Sequence, residues 1–297
     1  MDKYPKGTIT LFKGEIVTDK FIQSLESSVM KRFPEKKLCL YVNQQRHLVI
    51  STLFQDDLQA IQGKCQALMD EASLSKYPKE WEQIEDYLSQ NEDLLIFKVS
   101  APSQEFQDVE KLFHETMPKA IIHKVERIQN SKLWKIFSFQ ADNIIQKISE
   151  EQKQSLEDVS NLLFHGSSKT APNLIYECEE GFDIRFSNQG YWGWANYFAV
   201  SSQYSDAYSY KRSVDVRLPG ASQPNMQERR QMFLARVLVG KTIELASDNS
   251  LKMPPLLPGQ TTKRFDSVKG NTQGYDVYMV YSNKNCYPKY LITYSLA

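Results

Sequence analysis

Two short stretches carry the residues that could do chemistry together. Leu163-Phe164-His165-Gly166-Ser167-Ser168 sets an imidazole beside a glycine at the end of an apolar run, and Tyr197, Ser205 and Tyr208 follow. Gly166 has no Cβ, so a ligand can approach closely enough to bond its main-chain N–H and C=O. Ser205 can add a hydroxyl to the same edge, and Tyr197 and Tyr208 offer ring faces between which a flat heterocycle stacks. Such a set suits a planar ring carrying an amide. Each member also has a plainer reading. A lone His after an apolar strand is usually a structural donor, Tyr197 fits a strand core, and Ser205 and Tyr208 stand at the i, i+3 spacing of any helix surface. Arg185 reads as a solvated loop residue or a ligand contact, and Tyr191, Trp192 and Trp194 as a packed loop or a pocket wall.

The elements that must position these residues fall into two groups. Residues 1–75 read as a small α/β unit, beginning with a strand from Thr8 to Phe12. Phe21, Leu25 and Val29 fall at i, i+4 and i+8, one stripe of a helix opened by Thr18 or Asp19 and stopped by Pro34. Leu38 to Val42 and His47 to Thr52 make a predicted hairpin around Asn43-Gln44-Gln45. Leu58, Ile61, Cys65 and Leu68 then mark a second amphipathic helix. This order resembles a KH-type module but lacks the G-x-x-G loop with which KH domains clamp a nucleic-acid backbone. A packing or partner-binding unit is the stronger expectation, and RNA recognition the weaker one.

The polar residues 70–95, with Tyr77-Pro78, set the expected boundary and leave 76–297 as a second domain. There, Leu94 to Val99 is an apolar strand, and Val109, Leu112 and Phe113 mark a helix ending before Pro118. Ile121 to Ile128 is strand-like, and Trp134, Ile144, Ile145 and Ile148 continue a helical region. Short strands dominate from Leu162 onward, ending in Val277 to Tyr281 and Tyr290 to Tyr294.

Composition narrows the function. Lys plus Arg and Asp plus Glu both number 36, so no global field draws the chain to nucleic acid or an anionic membrane. No apolar run approaches the ~18 residues a membrane span needs. Cys39, Cys65, Cys178 and Cys286 never pair as C-x-x-C, which suits a reduced intracellular setting, cytoplasmic or nuclear, rather than disulfides or zinc. The four histidines are equally scattered, and metal chemistry has no support. The G-x-G-x-x-G of doubly wound dinucleotide folds is missing.

Seven segments in register over Tyr77 to Ala297, about three-quarters of the chain, resemble the catalytic domain of the poly(ADP-ribose) polymerase (PARP) family. Besides the two stretches above they are Val125 to Asn130, Gly181-Phe182-Asp183-Ile184-Arg185, Phe233 to Gly240, Arg264 to Val268 and Tyr287 to Tyr294. The resemblance is closest to the mono-ADP-ribosylating branch. It implies an α+β chain whose C-terminal ADP-ribosyltransferase domain has a split pair of mostly antiparallel sheets with flanking helices. NAD+ would be a consumed substrate, and protein side chains, the chain's own included, the acceptors. By resemblance, His165 hydrogen-bonds the adenosine ribose, Ser168 assists, and Gly166, Arg185, Tyr197, Ser205 and Tyr208 line the NAD+ site.

Three positions depart from the pattern. Polymer-forming members carry a glutamate where Val277 stands, and a valine cannot polarise a ribose hydroxyl or remove its proton. Single-unit transfer by His165, Tyr197 and Val277 is therefore expected instead of elongation. The family usually shows Lys and Gly where Trp194 and Ala195 stand, so a narrowed pocket is expected too. The competing expectation is a weak or inactive NAD-binding scaffold.

Overall fold

A computed structural model describes residues 6–10, 19–32, 38–42, 47–52, 58–65, 77–82, 93–148, 155–217 and 223–297. The expected roles of Leu11, Phe12, Thr18, Pro34, the Asn43-Gln44-Gln45 turn and Leu68, and much of the 70–95 boundary, lie outside the described residues. The chain divides into two compact units, Met1–Asn91 and Glu92–Ala297.

In the first unit β1 (Lys6–Thr10), α1 (Asp19–Arg32), β2 (Leu38–Val42), β3 (His47–Thr52) and α2 (residues 58–65) follow in chain order. The strands form an antiparallel sheet in the order β1-β3-β2. Leu25 and Val29 from α1 and Leu58, Ile61 and Cys65 from α2 are buried with Leu40, Leu48 and Ile50, so the predicted stripes are the core faces. Burial pushes the Cys65 thiol up to about 11, which keeps it protonated and inert.

The second unit runs β4 (Leu94–Lys98), α3 (Gln104–His114), β5 (Ile121–Asn130), α4 (Ser131–Ile148), α5 (Leu156–Val159) and β6 (Ser160–His165). There follow α6 (Asn173–Tyr176), β7 (Asn196–Ala199), α7 (Ser202–Asp206), β8 (Tyr210–Asp215) and β9 (Met226–Leu238). The chain closes with β10 (Thr242–Glu244), β11 (Ser267–Thr272), β12 (Tyr275–Val280) and β13 (Cys286–Ser295). Ten strands connect in the order β10-β11-β12-β7-β6-β9-β13-β5-β4, with β8 on β9 beyond the end of β6. All described pairs in this sheet are antiparallel except β10 with β11. The two halves of the sheet meet at a narrow waist, because β6 and β7 share only the pair Phe164↔Ala199.

Alternation along β9 separates two faces. Met232 and Leu234 join Phe113 and Val109 of α3 in one core, while Phe233, Ala235 and Val237 join Leu163, Phe198 and Phe182 in the other. Asn130 ends β5 and caps α4, its Oδ1 accepting from the Leu133 N–H at 3.0 Å. The Tyr287 hydroxyl donates to the Ile128 carbonyl at 2.8 Å and accepts from the Asn130 N–H at 2.9 Å, so a buried ring joins β13 to that turn. Two sequence expectations shift. β9 is a 13-residue strand rather than one of several short ones, and β12 begins at Tyr275, two residues before the Val277 expected to open it.

Candidate active site

The site forms where the sheet narrows. Past Phe164↔Ala199 the strands part, and the His165 imidazole takes over the link, its Nδ1 lying 2.8 Å from the Tyr197 carbonyl oxygen. A carbonyl can only accept, so Nδ1 carries the proton. The ring stands edge-on to Phe182 and tilted on Phe198, with centroids 5.0 and 5.2 Å away. Burial against these rings lowers the His165 pKa below the ordinary imidazole value, outweighing the bond to Tyr197. The neutral ring therefore presents a bare Nε2 acceptor.

Gly166 lies one residue past the ladder, and among the described residues its N–H and C=O make no hydrogen bond. Its other side is closed. A Cβ there would stand 2.4 Å from the Tyr208 carbonyl carbon and 2.6 Å from the Ser205 oxygen, so only glycine lets α7 come this close. Ser205 is buried in α7, and among the described residues its hydroxyl has no partner. Ser167 is buried with its Oγ unpartnered as well. An amide needs such a set: an acceptor and donors left open at one edge.

α7 is held from two directions. The Ser201 Oγ accepts from the Tyr204 N–H at 3.2 Å, and the Ser202 hydroxyl donates to the Phe113 carbonyl at 2.6 Å. At its other end Asp206 takes two bonds from the Arg230 guanidinium, at 3.0 and 2.8 Å, and one from the Tyr294 hydroxyl at 2.6 Å. These anchors fix Ser205 and lead the chain to Tyr208, whose ring is 49% exposed and lies 5.6 Å from that of Tyr204.

Tyr197 is fixed at its phenol. The hydroxyl donates to the Gly193 carbonyl and accepts from the Trp192 N–H, both at 2.9 Å. Burial pushes it up to about 12, so it stays a neutral donor. Trp192 is itself wedged, its indole N–H reaching the Leu245 and Ala246 carbonyls at 3.0 Å and its carbonyl accepting from the Tyr281 hydroxyl at 2.8 Å. A Cβ on Gly270 would stand 2.0 Å from that indole, so the ring occupies space only a glycine leaves open.

The remaining predicted residues have varied surroundings, and Val277 packs in the cluster against which Tyr197 rests. Ser168 is exposed. The Arg185 side chain is 72% exposed and is claimed by Asp183, with guanidinium contacts of 2.6 to 2.9 Å. Val277 is 1% exposed in an apolar cluster with Trp192, Ala195, Ala199, Val268 and Met279. Trp194 is 45% exposed, and Ala195 is buried with a backbone outside the positive-φ region, so its backbone does not require the family's glycine. The sequence reading missed Ser167, whose only signal was its place directly after Gly166. Among the described residues no group of three or more His, Cys, Asp and Glu could hold a metal, and no helix is long and apolar enough to cross a membrane.

Comparison with known proteins identifies the family. The chain belongs to the poly(ADP-ribose) polymerase family: the family model described as its catalytic domain matches residues 103–263, more than half of the chain. Among its relatives, a probable poly [ADP-ribose] polymerase of Dictyostelium discoideum is 34% identical over 223 residues, covering 73% of this chain and 57% of that protein. Protein mono-ADP-ribosyltransferase PARP12 of Mus musculus is 31% identical over 199 residues, 66% of this chain and 25% of its own length. Protein mono-ADP-ribosyltransferase PARP11 of Mus musculus is 29% identical over 231 residues, 73% and 64%. The chain thus spans between a quarter and two thirds of the length of these relatives.

Proposed function

We propose that this chain transfers one ADP-ribose unit from NAD+ to a protein side chain and releases nicotinamide. One observation carries the reading: the open N–H and C=O of Gly166, against which α7 brings the unpartnered Ser205 hydroxyl. These groups match a carboxamide on an aromatic ring, and His165 Nε2 is a bare acceptor for a ribose hydroxyl. Held this way, the bond between the ribose carbon and the nicotinamide nitrogen breaks with its electron pair leaving on nicotinamide. An acceptor oxygen, such as a carboxylate, forms the new bond to the same carbon. The protein's part is to orient the ring and hold the ribose so that this separation is aligned.

Val277 argues for a single transfer. Its side chain is sealed among apolar neighbours and offers nothing to a ribose hydroxyl, so an elongating step has no base. The relatives named as mono-ADP-ribosyltransferases support the same limit. Ser168 and Arg185 belong to the outer part of the NAD+ site in this reading, and the chain itself is among the acceptors. The compartment is reducing, cytoplasmic or nuclear. The first unit is a packing or partner-binding module of KH-like order, and salt-dependent RNA binding by the chain would favour the nucleic-acid version instead.

Incubation with isotopically labelled NAD+ followed by intact mass measurement tests the proposal. Single-unit adducts that vanish in Tyr197→Ala support it. Tight NAD+ binding without adduct or hydrolysis would make the chain a scaffold instead.

A further inference from the structure

Beyond the end of β6, β8 takes its place along β9, and the exchange sets two arginines face to face. Arg212 of β8 and Arg229 of β9 are directly opposed in the ladder. Directly opposed residues in an antiparallel pair point to one side, with Cβ atoms about 5 Å apart, and like charges there are destabilising. Among the described residues neither guanidinium has a carboxylate partner. Arg229 donates to the Gln227 side chain at 3.0 Å and the Glu228 carbonyl at 3.2 Å, and Arg212 makes no described bond. The neighbouring Arg230 shows the contrast: it points to the opposite face, where Asp206 and Glu228 neutralise it.

The side on which the two arginines meet is the side of His165. His165 pairs with Phe233, and Phe233, Gln231 and Arg229 follow at alternate positions of β9. Arg229 is four residues from Phe233, about 13 Å along the strand, and Tyr210↔Gln231 lies between. His123 also faces Arg229, and its pKa is lowered by burial first and then by that charge. The acid on β5 is already used, since Glu126 lies 2.6 Å from the Lys124 ammonium. Tyr176 at the end of α6 is within electrostatic reach of Glu177, Glu126 and Arg212. Two opposed guanidiniums without a carboxylate partner, on the side of the sheet that His165 faces, call for an anion on the same ligand.

We propose that Arg212 and Arg229 form a phosphate seat for the diphosphate of NAD+, continuous with the nicotinamide grip. The inference rests on the NAD+ reading above. Guanidinium forks suit phosphate oxygens, and a diphosphate supplies the negative charge that the opposed pair lacks.

Calorimetry on the full chain distinguishes the two readings. NAD+, ADP-ribose and benzamide, an uncharged mimic of the nicotinamide end, are titrated into the wild type, Arg212→Gln, Arg229→Gln and the double variant. Each single change should weaken NAD+ and ADP-ribose about tenfold and flatten their salt dependence, while benzamide binds as before. The unliganded melting temperature should hold or rise, because a repulsion is relieved. Lysine at either position keeps the charge and should retain most of the affinity, which a merely structural role would not predict. Unchanged NAD+ and ADP-ribose binding in the double variant, with benzamide intact, overturns the seat and leaves the nicotinamide reading standing; phosphate carried by an acceptor would give that outcome. A wild type that binds none of the three overturns both.

Discussion

Two regions of the same sheet treat their polar groups in opposite ways. Around β13 and β5 they are matched: Glu105 accepts from Arg127 at 2.6 Å and from the Tyr290 hydroxyl at 2.8 Å, and Gln231 donates to Thr293 at 3.1 Å. At the waist between β6 and β7, the Gly166 backbone and the hydroxyls of Ser167 and Ser205 are left open among the described residues. Buried polar groups without partners cost stability wherever they occur. Of the three buried side-chain atoms without a partner among the described residues, Ser167 Oγ lies at this seam next to a neutral imidazole, Ser209 Oγ lies just past α7, and Asn285 Oδ1 lies just before β13.

The sharpest way to break that contrast is Gly166→Ala. The new Cβ has only the backbone of Ser205 and Tyr208 to push against, so α7 must move. A stability loss of about 1–3 kcal/mol is expected from such overpacking. Transfer should fall on the order of a hundredfold as the grip is displaced. Thermal melting and adduct formation read the two effects separately.

Val277→Glu tests the other side. The glutamate of polymer-forming enzymes, placed in this dry cluster, should cost about 3 kcal/mol and yield no chains. A stable variant that makes polymer would refute the account of Val277. Ser205→Ala should be milder. With no internal partner to lose, the melting temperature stays within a degree or two of the wild type, and NAD+ affinity drops about tenfold.

A pH titration should show a smaller, graded effect. Because the folded state depresses the His165 pKa, acid protonates the unfolded ring first, near 6.5. Stability therefore falls from there down to the lower folded value and then levels off. NAD+ binding weakens below that folded value, as Nε2 gains a proton and stops accepting; binding that stays flat across the pH range in which NMR sees the folded His165 ring protonate would remove His165 from the site. Arg185→Ala is expected to change NAD+ affinity less than twofold, since Asp183 already holds the guanidinium out in solvent. A larger loss would move Arg185 from the outer part of the site to direct contact with NAD+.

Sequence pattern reached the elements whose burial is one-sided. Leu25 and Val29 of α1, and Leu58, Ile61 and Cys65 of α2, were legible because each helix buries a single stripe. β9 was not, because its last half is apolar on both faces and its first half, Met226 to Arg230, is polar and partly exposed. For β12 the alternation Tyr275, Val277, Met279 already marked a strand beginning before Val277. The site residues were named from types and order, but their relations are non-local. Nothing near residue 166 announces that α7, almost forty residues later, rests on its missing Cβ. Arg185 shows the reverse, a local relation overlooked: an aspartate two residues before an arginine is a ready partner.

Gly270 stands more than seventy residues from Tyr197 and would draw no attention in a scan for reactive groups. Yet it vacates the volume that Trp192 fills, and Trp192 grips the oxygen of Tyr197. Enlarging that one position would tilt the indole, release the phenol and dull the pocket without touching any residue inside it.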